Sequence, residues 1–261
     1  MKRFTIVLML LLVTVGVFGT TYYVSNDGDD QNPGTQEEPF QHIQYAIDYI
    51  FNLEIENATI KISEGEYFEN LDINFYNENL RNLIIEPDVN FNTVIINGNY
   101  DGSVISILGN DEEVCSIAIT GMTIMNSDNN MYSSGIYAKE LDVEVYDCTI
   151  MECNMFIRLI GDYRDFKATI NNNNFFQQTS AEEAIYIEKY NSEITISENT
   201  LNGDGGVIAA EYGIYIENSS NLNIAQNVIS DYSDYTDAAI HIEESSRIVI
   251  SDNDMFYCKD A

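Results

Sequence analysis

An all-β solenoid of stacked parallel coils is the fold class this sequence predicts, and three observations carry that expectation. First, four near-copies of one pattern, Ala168–Phe175, Ile194–Leu201, Leu222–Ile229 and Ile248–Met255, each hold an asparagine at the same place, at Asn173, Asn199, Asn227 and Asn253. The asparagines recur after 26, 28 and 26 residues, a period of the length used by repeat architectures. Second, an alternating segment precedes each copy: Gly135–Ala138, Ala184–Ile187, Gly213–Ile216 and Ala239–Ile242. Apolar residues two apart in such segments share one face. Third, no amphipathic helix separates the segments, which excludes an alternating strand and helix fold.

In chain order, the first element is a leader. Lys2 and Arg3 precede an apolar run from Phe4 to Val17, followed by the small Gly19, so residues 1–19 read as a signal peptide with cleavage after Gly19. The run is shorter than the roughly 20 residues a bilayer demands. The expectation is therefore export to the periplasm, the cell surface or the medium, with no membrane span after cleavage. Residues 20–59 form a second unit of strand, turn and helix. The stretch Pro39–Phe51 puts Ile43, Ala46, Ile47, Ile50 and Phe51 on one helical stripe, with Thr35 or Gln36 as cap and Pro39 in the first turn. An amphipathic helix at this place would cap the open end of the solenoid core. Residues 60–261 supply the coils, and two degenerate copies, Ile117–Ile124 and Val143–Ile150, carry Met122 and Cys148 at the asparagine position.

Stacking fixes what the columns contain. Each coil adds about 4.8 Å, so equivalent residues lie above one another, and inward asparagines bond amide to amide. Cys148 faces the interior, whereas Cys153 and Cys258 lie four turns apart, about 19 Å, beyond disulfide reach. Free, mostly buried thiols are expected, with Cys148–Cys153 as the one local pair. The chain stops five residues after Phe256, without a terminal cap, so a further segment or a partner is expected over the last coil.

The opening Tyr22–Thr35, then Pro39, Phe40, Ile43 and Ala46, then Ile60–Glu69, resembles the start of secreted right-handed parallel β-helix proteins. Val94–Gly98 and Gly121–Ile124 match coil phrases of the same pectate-lyase-like superfamily. The resemblance spans residues 22–261. It implies a right-handed parallel β-helix with an N-terminal capping helix. For function it implies only a scaffold shared by pectate lyases, polygalacturonases, other carbohydrate-active enzymes and adhesins.

Acidic residues number 43 and basic residues 11, a net charge of -32 that becomes -34 without Lys2 and Arg3. Nucleic acid and anionic membranes are therefore poor partners. Alignment of the coils gives three outward columns. Tyr137, Tyr186, Tyr215 and His241 form an aromatic one, interrupted at Met155–Leu159. Glu188, Glu217 and Glu243 form the second, and Glu182, Glu211 and Asp237 the third. Rings stack on sugar faces and carboxylates accept sugar hydroxyls, so the face suits a polysaccharide or cell-surface glycan; outward tyrosines that merely favour strands give the same column. Carboxylates about 5 Å apart repel by about 1 to 3 kcal/mol per pair. Ca²⁺ bridging the six acidic residues would relieve this, as would simple solvation. If the resemblance extends to lyase chemistry, it implies Ca²⁺ and a basic side chain that takes the α-proton. Lys139, in the glutamate column, and Lys189 beside it are the candidates. The glycine–histidine–glycine element of polygalacturonases is absent: His42 lies on the cap helix and His241 between two isoleucines. Asn26–Asp30 and Asn202–Gly206 read as turns. The competing class is a non-enzymatic adhesive or spacer module.

Overall fold

The computed structural model describes residues 19–53, 55–75, 79–89, 93–110, 114–130, 132–162, 164–176, 183–203, 212–232 and 238–258. Residues 1–18 of the leader, Glu182, Glu211 and Asp237 lie outside them, as does most of the turn at Asn202–Gly206.

Three parallel sheets of nine, seven and eight strands run the length of the molecule, and each turn of the chain gives one strand to each sheet. The nine-stranded sheet holds the segments that end at the asparagines, such as Ala168–Asn171, Ile194–Ser197 and Ser220–Ala225. The eight-stranded sheet holds short strands just past them, including Asn174–Phe176, Thr200–Asn202 and Val228–Ser230. Ser134–Lys139, Met155–Ile160, Ile185–Glu188, Tyr212–Glu217 and Ala238–Glu243 belong to the seven-stranded sheet. Every named pairing between coils is parallel and in register, for example Ile170↔Ile196↔Ile224↔Ile250. Isoleucine, valine and leucine alternate inward along these strands and fill one continuous column.

A third strand per coil is the main departure from the two the sequence reveals. The repeated pattern is not one strand. It breaks at a residue with left-handed backbone, Asp147, Asn172, Glu198, Gln226 or Asp252 (φ 53–59°), which turns the chain onto the next sheet. Glycine, the usual marker of this conformation, stands there only at Gly121 (φ 71°).

The asparagine column is built as expected. Asn173, Asn199 and Asn227 are buried. Each Nδ2 donates to the Oδ1 of the next rung, at 3.0, 3.0 and 2.8 Å. Each backbone N–H donates to that same oxygen at 3.0–3.1 Å. The Nδ2 groups of Asn199, Asn227 and Asn253 also reach back to the carbonyls of Ile170, Ile196 and Ile224 at 2.8–2.9 Å. The ladder thus pairs backbone groups that the corner removes from the sheets, which is where an unpaired buried N–H or C=O would otherwise be costly. Cys148 sits at its top rung, its N–H bonded to Asn173 Oδ1. All four cysteines are free, Cys258 being half-buried and the others buried.

The helix spans Ile43–Phe51, four residues shorter at its start than the stripe suggests, and buries Ile43, Ala46, Ile47 and Ile50. Neither Thr35 nor Gln36 caps it and Pro39 precedes it. The Pro39–His42 stretch is held extended instead, with Phe40 bridged to Val24. The Glu69 carboxylate closes the helix start by accepting from the N–H groups of Ile43 and Gln44 at 3.0 and 2.8 Å, a favourable place for negative charge. His42 is exposed and stands just before the helix, with its Nδ1 2.7 Å from Asp30 Oδ2. The strand Thr20–Val24 pairs with Asn57–Ile62 as the first rung of the nine-stranded sheet. At the other end Ile248 and Ile250, in register with buried Leu222 and Ile224, are 40% and 49% exposed.

Candidate functional site

The outer face of the seven-stranded sheet carries the aromatic column, and its register is Asp72↔Ser106↔Tyr137↔Arg158↔Tyr186↔Tyr215↔His241. Alternation along each strand sends the isoleucines inward and these residues outward. Met155–Ile160, read from sequence as an interruption, is an ordinary strand paired on both sides. It inserts Arg158 between Tyr137 and Tyr186. The sequence around it lacks the repeated phrase, so only the pairing reveals its place.

The rings stack. Tyr186 and Tyr215 lie 5.5 Å apart at 13°, and Tyr215 and His241 4.9 Å apart at 16°. Tyr212, not singled out from the sequence, packs against both Tyr215 and His241 at 5.3 and 4.9 Å. The Arg158 guanidinium lies 5.2, 5.5 and 5.9 Å from the ring centroids of Tyr132, Tyr137 and Tyr186. Contacts of this kind contribute about 0.5–1 kcal/mol each at exposed sites.

Two residues further along each strand runs the second column, Lys139↔Ile160↔Glu188↔Glu217↔Glu243. Its carboxylates each accept from a neighbouring side chain. Tyr186 Oη donates to Glu217 Oε1, and to Glu188 Oε2 at 3.3 Å. Tyr215 Oη donates to Glu243 Oε2 at 3.0 Å. Asn218 Nδ2 donates to Glu217 Oε2 at 3.3 Å, and His241 Nε2 lies 3.7 Å from Glu243 Oε2. Each phenol therefore reaches the acid of the following coil. Burial, followed by the hydrogen bond to Glu217, pushes the Tyr186 phenol up; burial and the bond to Glu243 do the same at Tyr215.

Lys139 Nζ is 3.1 Å from Glu140 Oε1, and Lys189 Nζ pairs with Glu188 Oε1. Both candidate bases are thus engaged in ion pairs. Among the described residues no group of three or more His, Cys, Asp or Glu side chains is placed to hold a metal. Glu188, Glu217 and Glu243 hold phenol, amide and ammonium donors that a cation bound here would have to displace or share. Two hollows flank the helix and neither lies over the rings. One of about 440 Å³ is lined by residues including Gln44, Asp48, Asp72 and Asn74. The other, of about 210 Å³, is lined by residues including His42, Glu66 and Glu69. Asp72 starts the aromatic register, so the larger hollow lies at the N-terminal end of the same face.

These features define a right-handed parallel β-helix with an aromatic and acidic ladder on one outer face. A family model described as the right handed beta helix region matches residues 134–261. The uncharacterized protein YwoF of Bacillus subtilis strain 168 is 32% identical over 127 residues, 46% of this chain and 25% of that protein, so the chain spans about a quarter of this curated relative. Among solved structures, the lacto-N-biosidase of family GH136 from Eubacterium ramulus superposes with a TM-score of 0.64 at 14% identity, covering 90% of this chain and 51% of that one. XylC in complex with xylose gives 0.59 at 12%, covering 90% and 63%. At such identities the likeness is one of fold.

Proposed function

We propose that the protein is an exported β-helix that binds an acidic polysaccharide along the outer face of its seven-stranded sheet. Tyr137, Tyr186, Tyr215 and His241 present the outer edges of a packed row of rings to the sugars, and Glu188, Glu217 and Glu243 accept sugar hydroxyls. The observation that supports this reading is the register of rings from Tyr186 through Tyr215 to His241, with carboxylates held beside them by phenol donors. A spacer needs no such ladder. Export is supported by the basic residues and apolar run at the N-terminus, and among the described residues no helix is long and apolar enough to cross a membrane.

Binding without cleavage is the reading favoured here, because Lys139 and Lys189 are both tied to carboxylates. Retardation in polysaccharide-containing native gels tests it, run with and without Ca²⁺ to probe Glu182, Glu211 and Asp237 as well. The same mixtures are followed for the ultraviolet absorbance of unsaturated products. Retardation that weakens about tenfold in Tyr215→Ala supports the row of rings as the binding surface. No retardation by any polymer would favour the spacer, and unsaturated products would restore the lyase.

A further inference from the structure

Resting on the binding reading above, we infer that Arg158 is a carboxylate-recognition residue, and that the ligand of this face is a polysaccharide carrying isolated uronic-acid units among neutral sugars.

The chain has 43 acidic residues against 11 basic ones. Lys61, Lys139, Arg164 and Lys189 each pair with a carboxylate. Arg158 pairs with none among the described residues, although it stands on an outward column one rung from the first of three glutamates. Its positive charge is held by the faces of Tyr132, Tyr137 and Tyr186 instead. Contact with a ring face uses the charge and leaves the N–H donors of the guanidinium fork for a planar acceptor. A carboxylate is such an acceptor and can take two parallel bonds.

The surroundings restrict the ligand further. Beyond Arg158 the face carries Glu188, Glu217 and Glu243, and at its other end Asp72. A polymer with a carboxylate on every unit would set like charges against those acids. Neutral sugars would instead donate their hydroxyls to them while lying along the edges of the stacked Tyr186, Tyr215 and His241 rings. Charge along the sheet therefore matches one carboxylated unit at Arg158 followed by neutral units.

The test compares glucuronoxylan, the same polymer with its carboxyl groups reduced to alcohols, polygalacturonate and dextran sulfate, by titration calorimetry and gel retardation. Native glucuronoxylan is expected to bind roughly 10- to 100-fold more tightly than the reduced form, and more tightly than polygalacturonate or dextran sulfate. Arg158→Gln should collapse the gap between the native and reduced forms, and Arg158→Lys should restore only part of it. Equal affinity of the wild-type protein for native and reduced polymer overturns the inference and leaves carbohydrate binding standing. Tightest binding of polygalacturonate or dextran sulfate overturns the choice of an isolated carboxylate. Binding of none of the four polymers removes both readings. Should Arg158→Gln fail to fold, the wild-type comparison and Arg158→Lys still decide.

Discussion

Truncation of Asn199 to alanine removes four side-chain hydrogen bonds from the middle of the ladder. Two are donated, to Ile170 O at 2.8 Å and Asn227 Oδ1 at 3.0 Å, and two are accepted, from the N–H and Nδ2 of Asn173, both at 3.0 Å. Asn173 Nδ2 keeps Val145 O and Asn227 Oδ1 keeps the Asn199 N–H. The Ile170 carbonyl and the Asn173 N–H lose their ladder partners inside the core. At about 1–3 kcal/mol for each buried group so orphaned, Asn199→Ala should cost about 2–6 kcal/mol. Asn253→Ala is the control. It breaks comparable bonds at the last described rung, where Asn253 is part-exposed and water can replace them, so its cost should be about 1 kcal/mol or less. Urea unfolding followed by far-ultraviolet circular dichroism measures both. Because each coil contacts only its neighbours, the central lesion should also lower the slope of the transition as the column splits into two cooperative blocks. A midpoint shift in Asn199→Ala no larger than in Asn253→Ala would refute the assignment of the ladder as the device that pairs the corner backbone.

Three other outcomes are expected. Cys148→Asn should extend the ladder by one rung toward Ile119 O and raise stability by about 1 kcal/mol, read as a higher thermal midpoint. Gly161→Ala should destabilise by about 3 kcal/mol or more in the same urea assay, since its Cβ would lie 2.2 Å from the backbone oxygen of Lys189. The Asp30–His42 pair should give a pH-dependent contribution to stability. Its hydrogen bond to Asp30, opposed by partial burial, raises His42; burial alone would raise Asp30, but the His42 ring and the N–H groups of His42 and Gln41 outweigh it and lower it. The histidine's part is complete below its unfolded value of about 6.5 and lost as pH rises through the raised folded value. The aspartate's part is present above about 3.9 and lost as pH falls through the lowered one. The pair thus contributes most between about pH 4 and 6.5, and His42→Ala should flatten the melting-temperature profile above that window; an unchanged profile would rule the pair out.

The asparagine column and the inward isoleucines were legible because they repeat in type and spacing. The aromatic and glutamate columns followed from aligning the coils. The third strand was not legible, because Glu198, Gln226 and Asp252 turn the chain with left-handed backbone at residues that do not announce a turn. Arg158 was hidden for a different reason. Its strand holds the register of its neighbours through main-chain pairing and inward Ile157 and Leu159, while its outward residues share nothing with theirs. The start of the helix was misplaced because its stabilising carboxylate, Glu69, lies 26 residues away in sequence.

In-register stacking makes the molecule a ruler graduated in whole turns. Excising the 26 residues that separate Asn173 from Asn199 would shorten the face by one graduation, about 4.8 Å, and leave the chemistry on either side intact. A single inserted residue within a strand would instead turn its outward side chains into the core. The distance between the arginine and each glutamate is therefore set by counting turns, and a lineage could retune it for polymers of different charge spacing by duplicating or losing a coil.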